Sequence, residues 1–347
     1  MNILGIETSC DETSVAILVN DEVKVNLVSS QDFHINYGGV VPELSSRAHL
    51  QIIIPLLRQA LEKLKLSIEE IDLISATAGP GLIGALLVGL TFAKGLAFSL
   101  NKPFVPVDHI EGHIFSAFLQ YGNSELIKPN FPYLCLVVSG GHTLLLLVKS
   151  DLEIIKLGTT VDDAAGEAFD KVAKMIGLGY PGGPKIQSLA YNYTESNLIS
   201  FPVSKTQNDY DFSFSGLKTA VLRYVLKEYG SREKIKEEDK PKIAASFQNA
   251  VVKALTKNVE KALSNYKVDS FALVGGVAAN KFLRDELAEL TKKYGIKFVV
   301  PSLEFCGDNG AMIAYRAWRL HLAGRKFNYE YNAYPSLKEN KLIVPEL

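Results

Sequence analysis

The sequence predicts an α/β protein of two duplicated lobes, and three observations carry that reading. The chain has 347 residues, more than one ordinary hydrophobic core accommodates. Two β-hairpin patterns, over residues 2–19 and 133–148, begin about 130 residues apart, a spacing that suits a repeated lobe rather than a solenoid. Apolar strands that run into glycine turns and then helices recur, at Gly79-Pro80-Gly81 and at Gly275-Gly276. The polar, proline-containing stretch 120–132 is the expected division. It gives an N-terminal lobe of residues 1–125 and a C-terminal lobe of 126–347, with the last helix free to pack back on the first lobe.

Each element follows from local pattern. Residues 2–7 and 13–19 are apolar runs joined by the polar tip TSCDE, a hairpin. Helical periodicity covers 45–65, a strand 71–78, a long apolar helix 82–100 and a short buried strand 104–107. Residues 109–119 read as a helix with Ile110, Ile114, Phe115 and Phe118 on its apolar face. The second hairpin turns at Ser139-Gly140-Gly141-His142. Beyond it lie a helix over 162–176, a rigid loop over 177–184, and a long amphipathic helix over 240–266. A strand over 270–274, a helix over 280–294, a strand over 297–300 and a last helix over 309–322 complete the chain. The charge-rich stretch 227–242 reads as a solvated insertion.

Charge and composition narrow the function. A net charge of −1 argues against a purely electrostatic nucleic-acid binder, leaving a local basic patch or a charged partner subunit. The three cysteines, Cys10, Cys135 and Cys306, give no disulfide framework and fit a reducing compartment. The N-terminus MNILGIETSC lacks a basic region followed by an apolar one, so no signal peptide is expected. The apolar stretch 85–100 is interrupted by Lys94 and reads as a buried helix too short for a membrane span. A cytoplasmic enzyme is the expectation.

The chemistry is carried by four groups of residues. In Asp108-His109-Ile110-Glu111-Gly112-His113, the histidines stand at i and i+4, on one helix face, where they can chelate a metal. A zinc-protease helix reads H-E-x-x-H; here the order is H-x-E-x-H, which turns Glu111 away from the ligands. The bland alternative is a pair of surface histidines. Asp308, just before the last helix, is the best third ligand, and two histidines with one carboxylate and open positions suit iron first and zinc next.

The second group is the pair of hairpin tips. Thr8, Ser9 and Thr13 offer hydroxyls, and Asp11 and Glu12 offer carboxylates. Ser139 to His142 offer backbone amides that glycines let a phosphate approach, and two equivalent tips suggest phosphates in a cleft between lobes. The third is Gly275-Gly276 leading to Asn280, which reads as a nucleoside contact or as a plain turn with Asn280 as helix cap. The fourth is Asp163, Glu167, Asp170 and Lys171 with the loop 179–184; a carboxylate here can hold ribose hydroxyls, or the set is a solvated helix face. His34, His49 and His321 lack neighbours suited to catalysis, while Cys10 and Cys306 flank candidate sites and are placed to approach each other.

Taken in order, GIETSCDETS, GGVVPELSSRAH, DHIEGH, VSGGHT, DDAAGEAFDK, GYPGGP, DFSFSGLKTA, GGVAANKFLR and CGDNGAMIA resemble the bacterial tRNA adenosine threonylcarbamoyltransferase family, TsaD, over nearly the whole chain. The resemblance implies an actin/Hsp70/sugar-kinase-like fold. It implies transfer of threonylcarbamoyl from threonylcarbamoyl-adenylate to N6 of adenosine 37, in tRNAs reading codons that begin with A, with release of AMP. It implies His109, His113 and Asp308 as ligands of one divalent metal, Fe(2+) usually and Zn(2+) next, and Val138, Ser139, Gly140, Gly141, His142, Asp170, Gly183 and Asn280 as substrate contacts. It also implies tRNA and two protein partners, a degenerate paralogue (TsaB-like) and a P-loop ATPase subunit (TsaE-like), and no membrane. Family members often carry Asp where this chain has Gln187, so no carboxylate contact is carried over there. In the expected mechanism Asp11 or Glu12 takes the amine proton. The rival readings are a metal-dependent peptidase, against which the histidine spacing argues, a sugar-kinase-like ATPase, which needs no histidine pair, and a non-catalytic scaffold subunit, which needs no complete ligand set.

Overall fold

A computed structural model describes residues 1–119 and 127–336 in full and residues 343–345 as strand backbone. In chain order it contains β1 (Asn2–Glu7), β2 (Glu12–Val19), β3 (Glu22–Ser30), α1 (Pro42–Leu64), β4 (Leu73–Gly79), α2 (Ile83–Leu100), β5 (Phe104–Asp108) and α3 (His109–Ser116). There follow β6 (Tyr133–Val138), β7 (Thr143–Ser150), β8 (Glu153–Thr159), α4 (Ala165–Met175), α5 (Gly182–Tyr191), α6 (Ser215–Tyr229) and α7 (Lys240–Asn265). The chain closes with β9 (Ser270–Val274), α8 (Lys281–Lys293), β10 (Lys297–Val299), α9 (Gly310–Leu322) and β11 (Ile343–Pro345).

Two compact units share these elements. The first gathers residues 1–128, 150–153 and 301–343; the second gathers 129–149, 154–300 and 344–347. Residues 301–336, read from the sequence as part of a C-terminal lobe whose last helix is free to pack back on the first, belong with the first unit. The expected division at 125/126 falls within residues 120–126, outside the described ones.

The first unit's sheet has the order β3-β2-β1-β4-β5. β1 is antiparallel to β2 and parallel to β4, and β4 is parallel to β5. β4 is buried at every position, which explains its unbroken run of apolar and small residues. Alternation divides the side chains of β1 between two faces. Leu4 and Ile6 join Val15, Ile17 and Ile74 in a core with Ile53, Leu56 and Ala60 of α1 and Leu90, Ala93 and Ala97 of α2. The other face takes α9. A Cβ on Gly5 would stand 2.2 Å from the Gly310 carbonyl oxygen, and one on Gly310 would stand 2.8 Å from the Ala16 nitrogen. Glycine at both positions lets helix backbone lie directly on strand backbone. The Gly310 N–H donates to Ser14 Oγ at 2.7 Å, and Asn309 caps α9 through Met312 N. These contacts hold α9 against the first sheet.

α2 spans 18 residues and is apolar and long enough to cross a membrane by length and composition alone, whereas the stretch 85–100 read as too short for a span. Its Leu90, Ala93 and Ala97 lie in the core just described.

The second unit's sheet has the order β10-β9-β6-β7-β8-β11. β6 pairs antiparallel with β7 and parallel with β9, and β9 is parallel to β10. Apart from β11, its order β8-β7-β6-β9-β10 repeats β3-β2-β1-β4-β5. Each hairpin's first strand thus stands at the centre of its own sheet, as a duplication requires. β3, β8 and α6 have no counterpart in the periodicity reading. α5 begins inside the stretch 177–184 read as loop, and the stretch 227–242 is the end of α6, two short helical turns and the start of α7 rather than an insertion.

Candidate metal centre and substrate-binding residues

Asp108 ends β5 and caps α3: its Oδ1 accepts from Ile110 N at 2.8 Å and Glu111 N at 3.0 Å. The cap starts the helix at His109, so His113 falls one turn later on the same face. All eight residues of α3 are buried. Asp308 comes from the turn before α9, which the Gly5–Gly310 approach sets against β1.

The three side chains converge. His113 Nε2 lies 3.1 Å and His109 Nε2 3.5 Å from the same oxygen, Oδ1 of Asp308. Their rings meet edge to face, with centroids 4.7 Å apart. Metal–nitrogen and metal–oxygen bonds of about 2.0–2.2 Å place ligand atoms roughly 3–3.5 Å apart, so the set fits a divalent cation. The chemistry around it agrees. His109 Nδ1 lies 3.2 Å from Glu7 Oε2, a carboxylate that holds the Nδ1 proton and leaves Nε2 as a lone pair. His113 Nδ1 is buried and without a hydrogen-bond partner. Among the described residues, His109, His113 and Asp308 are the group of metal-ligating side chains this close together.

Without a cation, electrostatics shift the site. Burial alone would lower the His109 pKa, but the carboxylates of Asp308 and Glu7 outweigh it and hold it up at about 9. Glu12, on the first hairpin, is pushed up to about 8 by burial and by the neighbouring charges of Asp308 and Asp11. Burial and the same acids raise the Cys10 thiol far above its ordinary range and favour its protonated form. Cys306 places its thiol 3.7 Å from the carbonyls of Pro301 and Ser302, and none of the three cysteines forms a disulfide.

The hairpin tip is tied to this centre. Ser9 Oγ lies 3.2 Å from His109 Nδ1, and Glu7 accepts from Ser9 N at 2.5 Å and Thr77 Oγ1 at 2.5 Å. Thr8 Oγ1 donates to the Ala85 carbonyl at 2.9 Å. Glu7, which contacts His109, Ser9 and Thr77 at this centre, is a residue that sequence reasoning passed over. Its one signal was a carboxylate closing an otherwise apolar strand. Glu111 does turn away from the ligands, to a buried ion pair with Arg316.

In the second unit, the substrate-contact residues implied by resemblance collect around the ends of β6 and β9. Ser139 and Gly140 carbonyls accept from Gly166 N and Glu167 N in the first turn of α4, which docks the β6–β7 tip on that helix. Ser139 Oγ also accepts from His142 N at 3.1 Å. A Cβ on Gly275 would stand 2.5 Å from the Val138 carbonyl oxygen, so the glycine turn after β9 lies against the end of β6. Asp170 Oδ1 accepts from Gly182 N at 2.7 Å and fixes the start of α5. Asn280 caps α8 by accepting from Leu283 N and donates to Gln248 Oε1 at 2.9 Å. Gln187 accepts from Lys281 N at 2.9 Å, so its amide oxygen serves as a second cap of α8. Asp163 precedes α4 and bonds Lys171 and Lys218, and Lys171 also pairs with Glu167 one turn away. Within that acidic stretch, Asp163 and Glu167 are thus engaged by lysines.

Four glycines here stand apart. A Cβ on Gly140, Gly141, Gly183 or Gly276 would meet no protein atom within 4 Å, and none has a positive φ. Neither backbone conformation nor internal packing requires glycine at these positions. They leave backbone there that no side chain covers.

Comparison with known proteins agrees with this arrangement. Structures of the same fold include T. kodakarensis HypF (TM-score 0.60, 15% identity, 92% of this chain and 47% of that one). Another is component A of the (R)-2-hydroxyglutaryl-CoA dehydratase of Acidaminococcus fermentans (TM-score 0.55, 15% identity, 94% and 100%). The fold is the α/β fold of the actin/Hsp70/sugar-kinase class. In sequence, the chain is 52% identical to the tRNA N6-adenosine threonylcarbamoyltransferase of Thermosipho africanus over 97% of this chain and 100% of the relative. It is 49% identical to that of Clostridium botulinum over 97% and 98%. The model of the TsaD family, tRNA N6-adenosine threonylcarbamoyltransferase, matches residues 22–315. With most of its length inside that family model and half its residues shared with full-length relatives, this chain belongs to the tRNA N6-adenosine threonylcarbamoyltransferase family, acyltransferases that modify tRNA.

Proposed function

We propose that the chain takes threonylcarbamoyl from threonylcarbamoyl-adenylate and transfers it to N6 of adenosine 37 in tRNAs that read codons beginning with A, at a centre built on His109, His113 and Asp308. The observation that carries the proposal is the convergence of both histidine Nε2 atoms on Asp308 Oδ1, beside Glu12, in a chain of this family. The three residues would hold one divalent cation, iron(II) first and zinc(II) second, whose Lewis acidity polarises a carbonyl or phosphoryl oxygen.

The residues of the chain supply the rest. Glu7 orients His109, and Ser9 joins it to the hairpin tip. The adenosine N6 attacks the carbamoyl carbonyl carbon, the bond from that carbon to the adenylate phosphate oxygen breaks, and AMP departs with the bond's electron pair. The proton lost from N6 goes to a carboxylate, Glu12 or Asp11. The bare backbone at Gly140, Gly141 and Gly183, with Val138, Ser139, His142, Asp170 and Asn280, would receive the adenylate and the threonyl carboxylate. A near-neutral chain acting on tRNA is consistent with an assembly in which a TsaB-like paralogue and a TsaE-like ATPase contribute charge.

The test is transfer of labelled threonine onto unmodified tRNA, with the partner subunits added. His109→Ala is expected to lose bound metal by elemental analysis and to lose transfer at least about 100-fold. Full transfer by that variant in metal-replete buffer would overturn the assignment.

A further inference from the structure

His49, in the middle of α1, has no place in the metal set, and its sequence neighbours suggest no chemistry. Besides Ser45 Oγ at 3.1 Å from Nε2 and Gln31 Nε2 at 3.5 Å from both ring nitrogens, two contacts of the ring make opposite demands. Its Nε2 lies 3.0 Å from the Cys10 carbonyl oxygen, and its Nδ1 lies 2.7 Å from Thr13 Oγ1. A carbonyl only accepts, so Nε2 carries the proton; Nδ1 is then a lone pair and accepts from the Thr13 hydroxyl. The ring is completely buried. Ser45, one turn earlier on α1, donates to the same Cys10 carbonyl.

The neighbouring carbonyls of the tip are held as well. Ser9 O accepts from Leu82 N at 2.8 Å, and Asp11 O accepts from Gln31 N at 3.1 Å. Three successive carbonyls are therefore pinned from three separate segments, and His49 reaches groups on both sides of the Asp11–Glu12 pair. Ser9, next to the pinned carbonyls, touches His109.

We propose that His49, as the Nε2-protonated neutral imidazole, is a positioning residue for acyl transfer: by holding the Cys10 carbonyl and the Thr13 hydroxyl it sets where Asp11 and Glu12 stand beside the metal ligands. The proposal rests on the reading of those carboxylates given above. Misplacement of a reacting group by about 1 Å costs on the order of 100-fold in rate. A glutamine side chain can donate from its amide nitrogen and accept at its oxygen, so His49→Gln can restore both bonds, whereas His49→Leu makes neither.

The test compares His49→Leu, His49→Gln and Thr13→Val in the assembled, metal-loaded enzyme. His49→Leu is expected to lower kcat roughly 10- to 100-fold, with KM for tRNA and metal content within about twofold of wild type. His49→Gln is expected to recover at least about tenfold of that loss. Thr13→Val, which takes away only the Nδ1 partner, serves if His49→Leu does not fold, and is expected to lower kcat about threefold or more. Equal kcat values for His49→Leu and wild type, a change confined to KM, or no recovery in His49→Gln would overturn the proposal. Asp11→Asn and Glu12→Gln separate the two failures. If both keep wild-type kcat, the reading of the carboxylates fails and the proposal falls with it. If they lose transfer and His49→Leu does not, only the positioning role is overturned.

Discussion

Replacing Arg316 with methionine should damage the first unit more than any exposed charge could, and the structure gives the size of the effect. Arg316 donates from Nε at 2.8 Å and Nη2 at 2.6 Å to one oxygen of Glu111. The side chains are 0% and 3% exposed, and the guanidinium lies 4.1 Å over the Phe115 ring. A surface ion pair contributes about 0–1 kcal/mol. Here the arginine's removal leaves a carboxylate in the interior, where breaking such a pair costs about 3–5 kcal/mol. That is a large share of the roughly 5–15 kcal/mol by which domains are stable. Methionine fills the volume, so a cavity adds little. Urea unfolding followed by circular dichroism should show the loss in the transition of the first unit. Arg316→Met with Glu111→Leu removes both charges and is expected to recover at least half of it, since replacing a buried pair with apolar groups is often neutral. Because the pair ties α3, which bears the histidines, to α9, which follows Asp308, Arg316→Met should also release metal more readily than wild type. A loss below about 1 kcal/mol, or a double variant as unstable as the single one, would refute the reasoning.

Two further expectations concern protons and glycines. In metal-free protein the folded pKa of His109 is raised to about 9, so the stability it contributes is fully present below its unfolded pKa of about 6.5 and is lost as pH rises through about 9. A cation needs the neutral ring, so metal affinity should rise across the same window with release of a proton; calorimetry in buffers of different ionisation enthalpy measures it, and a pH-independent affinity would contradict it. Gly141→Ala and Gly183→Ala should leave stability unchanged or raise it by up to about 1 kcal/mol, while KM for the adenylate rises about tenfold. Gly182→Ala, whose Cβ would stand 2.6 Å from the Asp170 Cα and from Ala173 Cβ, should instead destabilise; a melting series with steady-state kinetics distinguishes the two kinds of glycine.

Much of the molecule is legible locally. A buried strand or an amphipathic helix is written in a repeat of two or about three and a half residues, so β9, which the periodicity placed to the residue, and the long helices α2, α7 and α9 could be read from neighbours alone. β3 escaped because Val25 is its one buried residue among nine, and β8 because its buried residues, Ile154, Leu157 and Gly158, follow no period of two. α6 escaped because only Leu217, Val221 and Val225 mark its buried face.

The histidine spacing, the acidic hairpin tip and the glycine turns were properties of the sequence by itself, since each depends on residues within one turn of chain. The whole motif series carried the family, because nine segments in one order specify what no single turn does. Only the tertiary structure decided which partners those residues have. Asp308 reaches His113 across 195 positions because Gly5 and Gly310 let α9 lie on β1. Glu7, Arg316 and His49 owe their roles to bonds formed at 102, 205 and 39 positions' remove. Such separations leave no period in the sequence. They are set by which backbones can approach, and that is settled only when the sheets and helices pack.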